Sequence, residues 1–348
     1  MTFPLVVRVP LFAMVVLLAL PLAAQAHPVP DDPRWLVYPA ADPQRAPGRA
    51  AHVVLVAAEQ EYRAEQAVPM LARLLSARHG FHCTVLFALH DGDVDPTQPT
   101  RTDDKQVWHD IPGLEHLERA DLVVWFTRFM ALHDEQLAHV YRYLDSGKPL
   151  IAIRTANHGF LGNWHYEVDK QPVRFGEDVL GGTFRGHHGG WHHEATRGIV
   201  VAANREHPIL RGVQDVFGPT DVYRTYPEGE ALPAGCTALL LGQPLRSLAK
   251  DAEPNTDKEP LPVAWVKTWT GGGGKAARVF HVTMGSARDF ECKDLRRLFL
   301  NAALWCLGRE ADIAADLDVD LVGDYAPLDS GFDYANLGVA PHPPSHYR

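Results

Sequence analysis

The chain has no excess of positive charge. Its 33 lysines and arginines face 43 aspartates and glutamates, a formal net charge of −10 at pH 7. A field of that sign repels phosphate backbones and anionic headgroups, so nucleic acid is excluded as an expected partner. A long apolar span is also missing. The longest run, Leu11 to Leu22, falls short of the ~20 residues a membrane-crossing helix needs and is broken by Pro21. With Arg8 ahead of it and Ala24-Gln25-Ala26 behind, residues 1–26 read as a secretory signal. The protein is then expected to be exported, periplasmic or secreted, to begin at His27, and to have no membrane attachment after cleavage. No cysteine follows the cleavage site, which argues against a lipid anchor.

Cysteine is scarce, with four in 348 residues. In an oxidising compartment four thiols allow three pairings into two disulfides. Cys292 and Cys306 flank or share one helical pattern, and at ~1.5 Å rise per residue they stand about 21 Å apart, beyond disulfide reach. Cys306 falls on the apolar stripe with Leu295, Leu298, Phe299, Ala302 and Trp305, which predicts a buried free thiol. Internal repeats are absent. Gly271 to Gly274 followed by Lys275 lacks the Ser or Thr and the leading glycine of a phosphate loop, and it lies between two strand patterns; a hairpin turn is expected there.

The patterning divides the chain into a leader (1–26), a Pro-rich arm (27–49), a main domain (50–308) and a wrapping tail (309–348). Within the main domain, Val53 to Ala57 is a continuous apolar run, the mark of a strand buried on both faces. Glu65 to His79 follows with Val68, Leu71, Leu74 and Leu75 at helical spacing, stopped by Gly80. Cys83–Leu89, Leu122–Phe126 and Pro149–Ile153 predict three further strands, and Asp134 is placed as the cap of a helix with Leu137, Val140, Tyr141 and Leu144 on one stripe. Later strands are expected near 199–202, 237–241, 263–269 and 278–282, with a closing helix over 294–307. Alternating strands and amphipathic helices predict an α/β fold, a doubly wound, mainly parallel sheet with long loop insertions. Ligands in such folds sit at the carboxyl ends of the strands, where Glu59 and Arg63, Thr127 and Arg128, Arg154 to His158, and Met284 to Ser286 fall.

The densest chemistry is Gly181-Gly182-Thr183-Phe184-Arg185-Gly186-His187-His188-Gly189-Gly190-Trp191-His192-His193. It carries four imidazoles on a glycine-jointed loop. Imidazole can take or give a proton near neutral pH and can ligate a metal, and glycine allows close backbone approach. His187 and His188 are the leading candidates for acid–base work. Adjacent residues point apart, so one of the two is expected to reach a given substrate atom. A zinc-like divalent metal on His187, His188 and His192 is the alternative; the regular helical spacing of such sites is missing, and no cofactor is required by the rest of the pattern.

The segments Ala58-Glu59-Gln60-Glu61-Tyr62-Arg63, Ile151-Ala152-Ile153-Arg154-Thr155-Ala156-Asn157-His158, the Gly-Gly-Thr-Phe-Arg-Gly-His-His loop, His207-Pro208-Ile209, Asp221-Val222-Tyr223, Pro262-Val263-Ala264-Trp265 and residues 274–285, in that order, resemble the ThuA (trehalose utilisation) family over residues 52–308. The resemblance implies a flavodoxin-like fold of the class I glutamine amidotransferase kind, and a role in sugar catabolism that includes oxidised 3-keto disaccharides. An amidotransferase of this fold carries a cysteine at the elbow after Pro149 to Ile153 and a His-x-Glu pair later. Here Arg154 stands at the elbow and Phe280-His281-Val282-Thr283 has no glutamate at that spacing. Without the thiolate, glutamine cleavage through a covalent intermediate is excluded.

The expected partner is a small carbohydrate, and the expected reaction is isomerisation, epimerisation or elimination on a keto sugar or 3-keto glycoside. His187 or His188 would act as base and Arg154 would stabilise the enolate. Glu59 and Asp221 complete the catalytic candidates and are also the one carboxylate pair available for glycoside hydrolysis. His158, Arg63, Arg128, Tyr223, Trp164 and Trp191 are candidates for substrate binding, the two tryptophans as stacking platforms for sugar rings. Each has a plainer reading as well: an ion pair for Glu59, Arg63 or Arg154, a turn residue for Asp221, loop pinning for the tryptophans. His207 and His281 are expected to be structural. The rival function is a non-catalytic carbohydrate-binding or partner-docking protein on the same fold.

Overall fold

In the computed structural model, which describes residue 1, residues 31–42, 44, 47–102 and 105–348, the continuous apolar runs become the middle of one ten-stranded sheet. The leader read at 1–26 and the cleavage site lie outside the described residues apart from Met1. The sheet strands are β1 (Trp35–Tyr38), β2 (His52–Ala58), β3 (His82–Phe87), β4 (Leu122–Thr127) and β5 (Leu150–Ile153) from the first half. A short two-stranded ladder comes from β6 (Gly186–His187) and β9 (Tyr223–Arg224). The second half adds β7 (Thr196–Val200), β8 (Val216–Gly218), β10 (Thr237–Pro244), β11 (Leu261–Thr270) and β12 (Ala276–Val282) to the large sheet. Its order is β1-β3-β2-β4-β5-β12-β11-β10-β7-β8.

The five central strands, β3-β2-β4-β5-β12, pair in parallel, which is the flavodoxin-like order with its reversal between β2 and β4. Every other pairing in the sheet is antiparallel. The second half of the chain thus extends the parallel core by an antiparallel wing and then returns through β12 to close against β5. The Gly271 to Gly274 segment is the hairpin that makes this return possible, joining β11 to β12 with Thr270 opposite Ala276. The Pro-rich segment supplies the edge strand β1 and is therefore more than a surface arm.

Side-chain alternation assigns the two faces. Val53, Leu55 and Ala57 of β2 pack with the buried faces of α1 (Ala64–His79) and α3 (Lys293–Cys306), while Val54, Val56 and Ala58 pack with Leu137, Val140, Tyr143 and Leu144 of α2 (Asp134–Asp145). Each fully buried leucine in these layers contributes about 1.5–3 kcal/mol by leaving water. Asp134 is the first residue of α2, and its cap position is held by His133; the carboxylate accepts instead from Asn163 Nδ2 at 3.0 Å. All four cysteines are free thiols, Cys83 and Cys306 buried. Among the described residues no helix is long and apolar enough to cross a membrane.

Residues of the tail bond to the main domain. His79 Nε2 meets Asp318 O at 2.6 Å, Arg296 Nε donates to Val319 O at 2.7 Å, and Leu328 N donates to Gln66 Oε1 at 2.9 Å. It then crosses the carboxyl edge of the sheet, where Gly331 N donates to Glu61 O at 2.9 Å.

Candidate active site

The ends of β2, β4 and β5 bring three loops to the reversal of strand order, and the histidine loop closes over them. Ladder pairing fixes that loop: His187 lies opposite Tyr223, and the N–H groups of His188 and Gly189 both donate to Val222 O at 2.9 and 3.0 Å. Asp221, one residue before, is thereby brought against the His187 ring. His187 Nδ1 is 2.8 Å from Asp221 Oδ2, and 34% of the imidazole side chain is exposed while the carboxylate is 2% exposed. The geometry of a buried anion at Nδ1 keeps the proton on that nitrogen and leaves Nε2 as the acceptor.

The other carboxylate oxygen is taken by Arg154, whose Nη2 is 3.0 Å from Asp221 Oδ1. Arg154 Nη1 donates to Thr283 O at 2.8 Å and to Asp221 O at 3.3 Å. The guanidinium is fully buried, sandwiched between the rings of Tyr62 at 3.9 Å and Tyr223 at 4.3 Å, and the two hydroxyls meet at 3.0 Å. At φ +43° it sits in the left-handed region at the elbow, a strained backbone that the surrounding contacts must hold. The expectation that Arg154 stabilises a substrate enolate is corrected by this burial. The cation faces protein on every side and can act on substrate only through Asp221.

Glu59 needs a similar correction. Its oxygens accept the backbone N–H groups of Glu61 at 2.6 Å, Tyr62 at 2.7 and 2.8 Å and Ala64 at 3.0 Å. A carboxylate so occupied caps the first turn of α1, where free N–H groups and the helix dipole favour an anion. It offers no lone pair to a substrate, and the Glu59–Asp221 pair does not assemble for hydrolysis. Arg63 is also fully buried, donating to Gly331 O at 3.2 Å and to Gln60 O, with Glu65 Oε1 3.7 Å from its Nε. It anchors the tail and does not reach a ligand.

Aromatic rings surround His187. Phe184, Tyr223 and Trp191 lie 5.1, 5.6 and 5.8 Å away by ring centroid. His158 shares the Phe184 and Tyr223 rings, at 5.0 and 6.2 Å, so two imidazoles flank one aromatic pair. His158 Nδ1 meets Asn157 Oδ1 at 2.6 Å; desolvation, helped by the charge of Arg128, pushes its pKa down to about 3. It is therefore a neutral ring at any physiological pH. Phe129 links it to Arg128, with ring centroids 4.8 Å apart and the guanidinium 4.8 Å over the Phe129 ring.

A second buried carboxylate organises the rim. Glu61 Oε1 accepts from Trp191 Nε1 at 2.7 Å and lies 3.4 Å from His192 Nε2, and Oε2 lies 3.6 Å from Arg128 Nε. Burial alone would raise its pKa, but the bonds from His192 and Trp191 and the nearby Arg128 charge outweigh it and hold the carboxyl down to about 2. Glu61 and Phe184 stand outside the candidates drawn from the sequence, although Glu61 lies in the Glu-Gln-Glu-Tyr-Arg segment and Phe184 in the histidine loop.

The remaining candidates go elsewhere. His188 Nε2 meets Glu259 O at 2.8 Å, so it faces away from Asp221. Trp164 donates its indole N–H to Val173 O at 2.6 Å and packs with Tyr141, Phe160 and Phe175, which pins its own loop. His281 is buried, with Nδ1 2.9 Å from Ala152 O, and His207 Nδ1 accepts from Ile209 N at 3.3 Å; both are structural. His187, His188 and His192 engage three different acceptors. Among the described residues no group of three or more His, Cys, Asp or Glu side chains is placed to hold a metal ion.

The parallel core with its strand reversal, and a candidate site at the carboxyl edge with Arg154 at the elbow after β5, define a flavodoxin-like α/β protein. The ThuA family model, described as trehalose utilisation, matches residues 52–306, and the chain belongs to that family. Among solved structures it is similar to a ThuA-like protein from Bacteroides uniformis ATCC 8492 (17% identity, 81% of this chain and 100% of that one, TM-score 0.48). Another ThuA-like protein, from Parabacteroides merdae ATCC 43184, compares at 14% identity, 81% and 95% coverage and a TM-score of 0.46. No curated protein matches.

Proposed function

We propose that the protein is an exported enzyme of carbohydrate catabolism that moves a proton on a keto sugar or 3-keto glycoside, with His187 Nε2 as the base. The observation that carries this reading is the Asp221–His187 pair: a buried carboxylate at one nitrogen of an imidazole that is 34% exposed and packed among the rings of Phe184 and Tyr223. A ketone acidifies the adjacent C–H. Nε2 takes that proton, the C–H electrons pass to the carbonyl as an enolate, and Asp221 stabilises the imidazolium that forms. Return of a proton to the opposite face of the same carbon completes epimerisation. Protonation of the enolate oxygen, loss of the proton from the neighbouring hydroxyl and protonation of the former carbonyl carbon complete isomerisation; loss of a glycosidic oxygen from the β carbon, as an alcohol once protonated, completes elimination.

In this scheme Arg128 provides the cation for the enolate in place of Arg154, because its side chain remains 19% exposed and its guanidinium lies over the Phe129 ring that packs on His158. Neutral His158 accepts a hydrogen bond from a sugar hydroxyl and orients the ring. Arg154 is a positioning residue that holds Asp221 aimed at His187.

Incubating the purified protein with 3-ketotrehalose in deuterated water tests the proposal. Deuterium should appear at the carbon beside the ketone, and His187→Gln should abolish the exchange. If no exchange and no product form while the sugar still binds, the protein is a carbohydrate-binding module and not an enzyme.

A further inference from the structure

Beyond the family-matched segment, the tail returns to the rim of the crevice and adds a second wall. Phe332 is 40% exposed, its ring 6.3 Å from that of Trp191, which is 42% exposed. Both rings are fixed. The Trp191 indole N–H is held by Glu61, and the Arg128 guanidinium lies 5.1 Å over the Phe332 ring. Gly331 is tied on both sides, its N–H to Glu61 O and its carbonyl to Arg63. The two rings and Leu337 line a concavity of about 340 Å³ whose edge carries His192, Asp333 and Asn336, with Asn336 Nδ2 donating to Asp333 Oδ2 at 2.7 Å.

We infer that this concavity is a subsite for a second sugar ring, so that the protein selects disaccharides or glycosides over monosaccharides. The position of the first ring rests on the proposed function, that of the second on the rim itself. Large exposed apolar surface is costly unless something covers it. Immobilised aromatic faces bordered by a carboxylate and an amide match a pyranose, whose C–H face stacks on a ring while its equatorial hydroxyls reach polar groups at the edge. Trp191 borders both His187 and this concavity, so its ring is a wall common to the two. The specificity element is thus supplied by residues 330–337, outside the part of the chain that the family shares.

Isothermal titration and saturation-transfer NMR with glucose, trehalose and maltose test this on the full-length mature protein. At least one disaccharide should bind about five- to tenfold more tightly than glucose, and Phe332→Ala should bring that ratio to about one. Phe332→Leu keeps the apolar volume but loses the ring face, and it should lower the ratio as well, with an unchanged melting temperature showing an intact fold. If no disaccharide outbinds glucose, or if the ratio survives both substitutions, the subsite does not exist. It is equally overturned if Phe332→Ala alters only self-association in sedimentation. Failure of deuterium exchange with an intact, Phe332-dependent ratio would overturn the chemistry alone; exchange with a ratio of one would overturn the subsite alone.

Discussion

His187 Nδ1 stands 2.8 Å from one oxygen of Asp221, while Arg154 Nη2 stands 3.0 Å from the other. One buried carboxylate therefore joins a fully buried cation to a partly exposed imidazole. The arginine satisfies the charge that burial would otherwise penalise, and the histidine carries that charge's influence to the surface. The two partners have separable roles, one in stability and one in chemistry.

Asp221→Asn is expected to damage both. Proton exchange should fall by about 10²–10⁴, the usual contribution of an oriented general base. Stability should fall by about 3–5 kcal/mol, because Arg154 would be left buried without an anion. His187→Gln should lower exchange to the same floor and leave stability within about 0.5 kcal/mol, since its side chain is partly exposed. Urea denaturation alongside the deuterium assay separates the two. A fully active His187→Gln variant would remove the base from the proposal.

Glu59→Ala should act on stability. The substitution strips the acceptor from the N–H groups of Glu61, Tyr62 and Ala64 at the start of α1, and a loss of about 2–3 kcal/mol is expected. Denaturation measures it. Loss of activity at unchanged stability would mean that the carboxylate contacts substrate after all.

Glu65 predicts a pH dependence of stability. It is buried beside Arg63 and Glu59, and desolvation, reinforced by Glu59 and opposed by Arg63, pushes its pKa from 4.5 up to about 7. Between those values the folded protein retains a proton that the unfolded chain has released, so stability falls as pH rises through the window. The contribution is fully present below about pH 4.5 and lost above about pH 7, a change of up to about 3 kcal/mol. Glu65→Gln should flatten this part of the profile. A wild-type curve of denaturation midpoint against pH that rises from 5 to 7, and is unaltered by the substitution, would contradict it.

The parallel core could be read from the sequence because strands covered on both faces are continuous apolar runs, as in Val53 to Ala57 and Leu122 to Phe126. The edge strand Trp35–Tyr38 was hidden by its length, too short among prolines to show a period. At the site, residue type and strand-end position identified His187, Asp221, His158 and Arg128, but not which way the charged side chains turn. A carboxylate just after a strand and just before a helix can line the crevice or cap the helix, and Glu59 does the latter. Arg63 and Arg154 likewise turn inward, to carbonyls contributed by distant segments. Phe332 was missed because its neighbours Trp191 and Arg128 are remote in sequence. The aromatic pair Phe332 and Tyr334 within a polar tail was the one available signal.

The glycine between the imidazoles offers a way to weaken the pair without touching either partner. A Cβ on Gly189 would stand 2.9 Å from Asp221 Cβ and 3.0 Å from Val222 N, closer than the backbone of the facing segment can absorb. Gly189→Ala must therefore push the histidine loop away from residues 221–222, stretching the bonds from His188 and Gly189 to Val222 O and lengthening the His187–Asp221 contact. Arg154 and Asp221 lie beneath the loop and stay paired, so the stability loss should remain near the 1–3 kcal/mol of an overpacked position, below that of Asp221→Asn. Proton exchange should nevertheless drop at least about tenfold, because a displaced imidazole loses both its orienting anion and its distance to substrate. Gly190→Ala is the matched control: the nearest atoms to its added Cβ belong to the Glu194 side chain, at 3.2 Å or more. Equal exchange rates in the two variants would show that the spacing between the loop and Asp221 does not govern the chemistry.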